Sequence, residues 1–171
     1  MRLGDKEETM HFRFTVQAKI QRPVAEVFDA VYNPRKLGGY FTTGGSSGPL
    51  DPGKTVLWTF NDTGSQPVTV PVSVKQTVKD NRIEFSWAAS EGLYDPKAGT
   101  VPHPGGYDTV VEMTFEPLGD RETLVKIIEG EWKGSEDGLQ GSYGNCQGWM
   151  NMLCCLKAYL EHGINLRKGT F

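Results

Sequence analysis

The stretch Gly148-Trp149-Met150-Asn151-Met152-Leu153-Cys154-Cys155-Leu156-Lys157-Ala158-Tyr159-Leu160-Glu161-His162-Gly163 decides the fold. Trp149, Leu153, Leu156 and Leu160 fall at i, i+4, i+7 and i+11, which puts one large apolar side chain per turn on a single helical face. Gly163 follows the last periodic residue, where a helix can end in a left-handed cap. Upstream, Gly138, Gly141, Gly144 and Gly148 are spaced three or four apart. Four glycines inside a helix would each cost about 1 kcal/mol, so the helix is expected to start near Asn145, with the glycines as a flexible approach. A single long helix with a continuous apolar stripe needs a large, curved apolar surface to lie on.

That surface is legible upstream. In Phe12-Arg13-Phe14-Thr15-Val16-Gln17-Ala18-Lys19-Ile20 every even position is apolar and every odd one polar, the pattern of a half-buried strand. It stops at Arg22-Pro23, and Pro23 suits the first position of a helix carried by Val24, Val27, Phe28 and Val31. A second short helix is expected from Pro34 towards Tyr40, then a flexible loop at Gly44-Gly45-Ser46-Ser47-Gly48-Pro49. Alternation resumes at Val56, Trp58 and Phe60, then from Val68 to Val78, then at Ile83, Phe85 and Trp87, with a hairpin turn at Asp80-Asn81. Pro67 and Pro71 mark the Val68–Val78 strand as an edge or as one that begins late. Residues 91–106 form an irregular loop. Tyr107, Thr109, Val111, Met113 and Phe115 share one face of the next strand, and a turn at Leu118-Gly119-Asp120-Arg121 leads into a last strand from Thr123 to Gly130.

Consecutive strands joined by short turns form an antiparallel sheet, and helices confined to one of its faces make an α+β domain. The 171 residues suit one domain, residues 1–171, with its core at about 10–163 and a short polar N-terminal extension. The 18 basic and 21 acidic side chains give a net charge of −3 with no basic run, which excludes a nucleic-acid footprint. No apolar run approaches the ~20 residues of a membrane span, and the charged N-terminus lacks the apolar core of a signal peptide. Three cysteines without ligand spacing read as free, mostly buried thiols in a reducing cytoplasm, with no metal site and no cofactor.

The opening strand, the segment Arg22-Pro23-Val24-Ala25-Glu26-Val27-Phe28-Asp29-Ala30 and the closing Gly148-Trp149 helix with Leu153, Leu156 and Leu160 resemble the SRPBCC superfamily. Within it, the nearest branch is similar to the C-terminal domain of the heat-shock-protein-90 ATPase activator. The resemblance implies a helix-grip fold, START-like: about six antiparallel strands wrapped round the long C-terminal helix, with two short helices after the first strand and an apolar cavity between sheet and helix. It also implies a hydrophobic small molecule, such as a lipid, polyketide or aromatic compound, as the partner. A minority of such proteins are cyclases or hydrolases. The activators carry an additional N-terminal domain, for which this chain leaves no room, and that points away from a chaperone role. The 91–106 loop is placed to lid the cavity or to serve a homodimer contact.

On this reading Trp58, Phe60, Phe85, Trp87, Tyr107, Val111, Met113, Phe115, Trp149 and Leu153 line the cavity, because bulky rings on one curved surface commonly border small-molecule sites. Two side chains are candidates for catalysis. His103 sits between two prolines near the expected pocket mouth. Glu129 points inward if Val125 and Ile127 do, and a carboxyl in an apolar cavity would have a raised pKa suited to acid–base work. The opposite parity, with Leu124 and Ile128 inside, leaves Glu129 in water; the sequence does not decide between the two, and the solvated placement is the favoured one. His11 and His162 read as structural or solvated. Three functions follow in order: a carrier or sensor of a hydrophobic molecule; an enzyme using Glu129 or His103 with Tyr107; and a stress-related protein-interaction module.

Overall fold

The computed structural model describes residues 10–95 and 97–170; the polar extension over residues 1–9 lies outside them, as does Pro96. In chain order the elements are β1 (His11–Ile20), α1 (Val24–Tyr32), α2 (Pro34–Leu37), β2 (Gly45–Ser46), β3 (Thr55–Phe60), β4 (Val68–Val78), β5 (Arg82–Glu91), β6 (His103–Gly119), β7 (Glu122–Lys133) and α3 (Glu136–His162). The strands form one sheet in the order β1-β7-β6-β5-β4-β3-β2 with every pair antiparallel. α3 lies across β1, β5 and β7. The expected α+β helix-grip architecture is present, with seven strands rather than six: the Gly44–Pro49 loop contributes the two-residue edge strand β2. No helix among the described residues is long and apolar enough to cross a membrane.

The core follows the period-two faces. Ile20, Val56, Trp58, Val72, Ile83, Phe85, Val111, Met113, Phe115, Val125 and Ile127 are buried from the sheet, and Trp149, Met152, Leu153, Cys155 and Leu156 from α3. Each fully buried large side chain contributes about 1.5–3 kcal/mol. The edge position inferred from the prolines of β4 holds only locally. Residues 68–72 pair with β3 alone, Leu57 opposite Pro71, and the pairing with β5 begins at Ser73. The N–H that Pro71 lacks has no strand to meet, which is the condition under which a sheet tolerates proline. Of the thiols, Cys155 is buried, Cys146 half-buried and Cys154 exposed, so "mostly buried" does not describe all three.

The main correction concerns α3. The helix begins at Glu136, about two and a half turns before the expected start near Asn145. Ser135 caps it, its hydroxyl accepting from the Gly138 N–H at 3.1 Å, with Glu136 and Asp137 in the positive first turn. The glycines therefore lie inside the helix, and two of them are close-approach points. A Cβ on Gly138 would stand 2.3 Å from the Lys133 carbonyl oxygen, and one on Gly141 2.5 Å from that of Ser90 and 2.9 Å from the Trp132 ring. Tertiary packing thus outweighs their propensity cost. At the far end Gly163 takes the left-handed cap at φ 67°, as its position after Leu160 predicts.

A second backbone device sits in β7. Phe12 pairs with Trp132 and Phe14 with Glu129, so Gly130 and Glu131 together oppose one residue of β1. Glu131 takes up the extra residue at φ 67°. Such a bulge re-aims side chains: Glu129 and Trp132, three apart, are both fully buried, which an unbroken alternation forbids.

The two kinds of helix glycine predict opposite outcomes. Gly141→Ala should cost about 1–3 kcal/mol through forced repacking. Gly144→Ala, where a Cβ meets nothing within 4 Å, should be neutral or gain up to about 1 kcal/mol of helix propensity. Urea unfolding of the two variants checks this; equal effects would sink it.

Candidate functional site

Glu129 lies in a row of the sheet that runs Phe14, Glu129, Val111, Phe85, Val74 across five strands. Its flanking positions Val125 and Ile127 point inward, so the parity that buries it is the one adopted, and the expected solvated placement is overturned: Glu129 is 0% exposed. The cause is supply of partners. Oε1 accepts from Trp87 Nε1 at 2.9 Å, Thr109 Oγ1 at 2.6 Å and Asn145 Nδ2 at 3.1 Å; Oε2 accepts from Trp149 Nε1 at 2.7 Å and again from Asn145 Nδ2 at 3.2 Å. Indole and amide N–H groups can only donate, so this is a cradle for an ionised carboxylate. Burial is the largest influence on Glu129 and pushes its pKa above the ordinary glutamate value, while the bonds from Thr109, Trp87, Trp149 and Asn145 pull it back down.

On the solvent side of this cradle lies a pocket of about 250 Å³. Phe41, Phe60, Trp87 and Trp149 supply its rings, Gly144, Asn145 and Gly148 of α3 one wall, and Thr63 and Arg167 its polar rim. Trp149 stacks with Trp87 (centroids 5.2 Å, 27°) and with Phe41 (5.8 Å, 28°), and Phe41 meets Phe60 edge-on at 5.3 Å. Arg167 comes from the chain beyond α3. Its guanidinium lies over Phe41 and Phe60 at 5.5 and 5.2 Å, and grips Asp62 with Nε at 2.7 Å and Nη2 at 3.1 Å. Burial alone would push the Asp62 carboxyl up, but the bonds from Arg167 and Thr43 and the Arg167 charge together hold it below its ordinary value. Gly144 and Gly148 have open space where a side chain would project, and the pocket occupies that space.

The structure distributes the residues read from sequence among three environments. Phe60, Trp87 and Trp149 border the pocket. Trp58, Phe85, Val111, Met113, Phe115 and Leu153 are closed into the core behind it. Tyr107 stands apart: its hydroxyl donates to Glu91 Oε1 at 2.8 Å and accepts from the Lys133 N–H at 3.2 Å, so it does not line this pocket. His103 is exposed on β6 opposite Glu91, its Nε2 3.4 Å from Asp137 Oδ2, in a separate surface hollow. Glu129, His103 and Tyr107 therefore do not converge, because β5 and β6 run on as a ladder through Glu91 and His103 and shorten the 91–106 loop to residues 92–102. The tip of that loop, through Tyr94 and Pro102, shares a second hollow with Asp62 and Thr63 beside the pocket. Sequence reading missed Phe41, Thr63, Asn145 and Arg167. Only Asn145 carries a signal that could have been used, a polar residue one turn before Trp149 on the same helix face.

Residues 21–161 match the family model described as activator of Hsp90 ATPase homolog 1-like protein. No curated protein sequence matches the chain significantly. Among solved structures, the SSP2350 protein of Staphylococcus saprophyticus superposes with a TM-score of 0.66 at 24% identity, over 91% of this chain and 96% of that one. The Aha1 dimer of Colwellia psychrerythraea gives 0.65 at 18% identity, over 89% and 98%. DynU16, from the dynemicin biosynthetic locus, gives 0.67 at 21% identity, over 90% of this chain and 48% of that one. At these identities the structures share the fold.

Removing the charge in the cradle has a predictable cost. Glu129→Gln puts an NH₂ among groups that donate and should destabilise by about 2 kcal/mol or more. The pH trend has a defined sign. A carboxyl whose folded pKa is raised binds its proton more readily folded than unfolded, so stability falls as pH rises from the ordinary value through the raised one. The melting-temperature advantage of wild type over Glu129→Gln should accordingly shrink as pH increases across that window; an advantage that grows would contradict it.

Proposed function

The chain belongs to the activator of Hsp90 ATPase homolog 1-like family, and from that membership we propose that it binds a small, flat, hydrophobic molecule in the pocket between α3 and the aromatic end of the sheet, as a carrier or sensor. The observation that carries this reading is the vacancy above Gly144 and Gly148. Two exposed helix positions lacking side chains border the same pocket as Phe41, Phe60, Trp87 and Trp149, although alanine there would favour the helix by about 1 kcal/mol each. A helix that needed only to cover the sheet would gain by filling them.

Size and lining narrow the ligand. About 250 Å³ falls below the ~300–1,000 Å³ of sites for drug-sized molecules. It suits one or two fused rings and is small for an acyl chain or a sterol. The aromatic side chains Phe41, Phe60, Trp87 and Trp149 favour a planar guest through stacked and edge-on contacts, and Thr63 adds a hydroxyl to the lining. Binding is favoured over catalysis because the carboxylate next to the pocket is saturated. Its two oxygens already take five hydrogen bonds, about the full acceptor capacity of the group, and His103 and Tyr107 lie elsewhere. Among the described residues that line the pocket, Arg167 is the one titratable side chain.

Gly148→Leu projects a side chain into the pocket from a position with no neighbours to clash with. Tryptophan fluorescence, with Trp87 and Trp149 in the wall as reporters, should show 2-naphthol binding weakened at least about tenfold, equivalent to ~1.4 kcal/mol, with a melting temperature equal to or above that of wild type. Wild-type affinity in that variant would overturn the assignment of this pocket.

A further inference from the structure

Trp87 and Trp149 make a contact that packing does not require. Both indoles border the pocket, and both direct their N–H at one buried carboxylate, at 2.9 and 2.7 Å. Glu129 takes part in none of the ion pairs among the described residues. Neutral donors alone hold its charge. A carboxylate in such a place is costly, and apolar side chains of similar size would fill the same row of the sheet. Burial, with the Glu129 charge as a smaller influence, pushes the thiol of Cys146, next to Asn145 on α3, up from its ordinary value.

A charge-assisted N–H···O⁻ bond draws the indole proton towards the carboxylate and leaves the ring richer in electrons. The negative face of an aromatic quadrupole then attracts positive charge more strongly. The remaining charges near the pocket cancel, since Arg167 is gripped through two nitrogens by Asp62. Among the described residues that line the pocket or bond to its walls, this leaves the Glu129 carboxylate, held behind the two indoles.

We propose that the ligand of this pocket is a planar cationic or electron-poor nitrogen heterocycle, selected over neutral and anionic rings of the same shape by the Glu129 carboxylate acting through the Trp87 and Trp149 indoles. The inference rests on the small-molecule reading of the pocket. It assigns Glu129 a specificity-determining role without contact with the guest.

The test compares N-methylquinolinium with quinoline, a cation and its neutral near-isostere at pH 7.5, by tryptophan quenching and calorimetry on the full chain. Wild type is expected to bind the cation about tenfold more tightly, the scale of a desolvated cation–π contact. In Glu129→Gln that ratio should fall to about one. Trp149→Phe, which keeps a ring but removes one N–H link, provides a second variant in case Glu129→Gln fails to fold, and should lower the ratio. Equal binding of the two probes by wild type, or a ratio that persists in a folded variant, would overturn the inference and leave the small-molecule reading standing. Binding of neither probe would overturn both.

Discussion

A carboxylate sealed among apolar side chains costs several kcal/mol unless donors surround it, and Glu129 draws its donors from three different elements. Trp87 comes from β5, Thr109 from β6, and Asn145 and Trp149 from α3. Meeting this one demand sets the distance and rotation of the helix over the sheet, because Asn145 and Trp149, four residues apart, must both reach the same carboxylate. It also orients the two indoles that form the pocket wall. The bulge at Gly130–Glu131 belongs to the same arrangement, since it lets Glu129 and Trp132 both turn inward.

Glycine serves α3 in two opposite ways. Gly138 and Gly141 let helix backbone come against the Lys133 and Ser90 carbonyls, with no room for a methyl group. Gly144 and Gly148, one and two turns further on, face open space. The helix is thus pressed onto the sheet at its start, held by the apolar stripe from Trp149 onward, and hollow between. The pocket lies in that hollow, closed from the far side by Arg167, whose guanidinium rests on Phe41 and Phe60 while Asp62 holds it in place.

Legibility in the sequence tracked the range of the interactions involved. Strand alternation in Phe12–Ile20 and the helical period of Trp149, Leu153, Leu156 and Leu160 are local patterns, and the elements they predict are there. Intrinsic propensity puts the start of α3 about nine residues too late because it counts glycine only as a cost, while the compensating contacts come from Lys133, Ser90 and Trp132. The parity of Glu129 is undecided in the sequence for a similar reason: its partners lie 16 to 42 residues away. Arg167 and Asp62, separated by 105 positions, left no periodic trace at all.

The sequence by itself determined the family, the antiparallel α+β architecture and the face of α3 that is buried, because side-chain periods of 2 and 3.6 are set by backbone geometry within each segment. Only the tertiary structure decided which aromatic residues remain closed core and which border a cavity, that the long helix begins at Glu136 with a vacancy over Gly144 and Gly148, and that Glu129 is a buried charge. Each of those depends on what approaches from another part of the chain. Desolvation and hydrogen bonding are settled by neighbours in space, and for this carboxylate they are supplied by three separate segments.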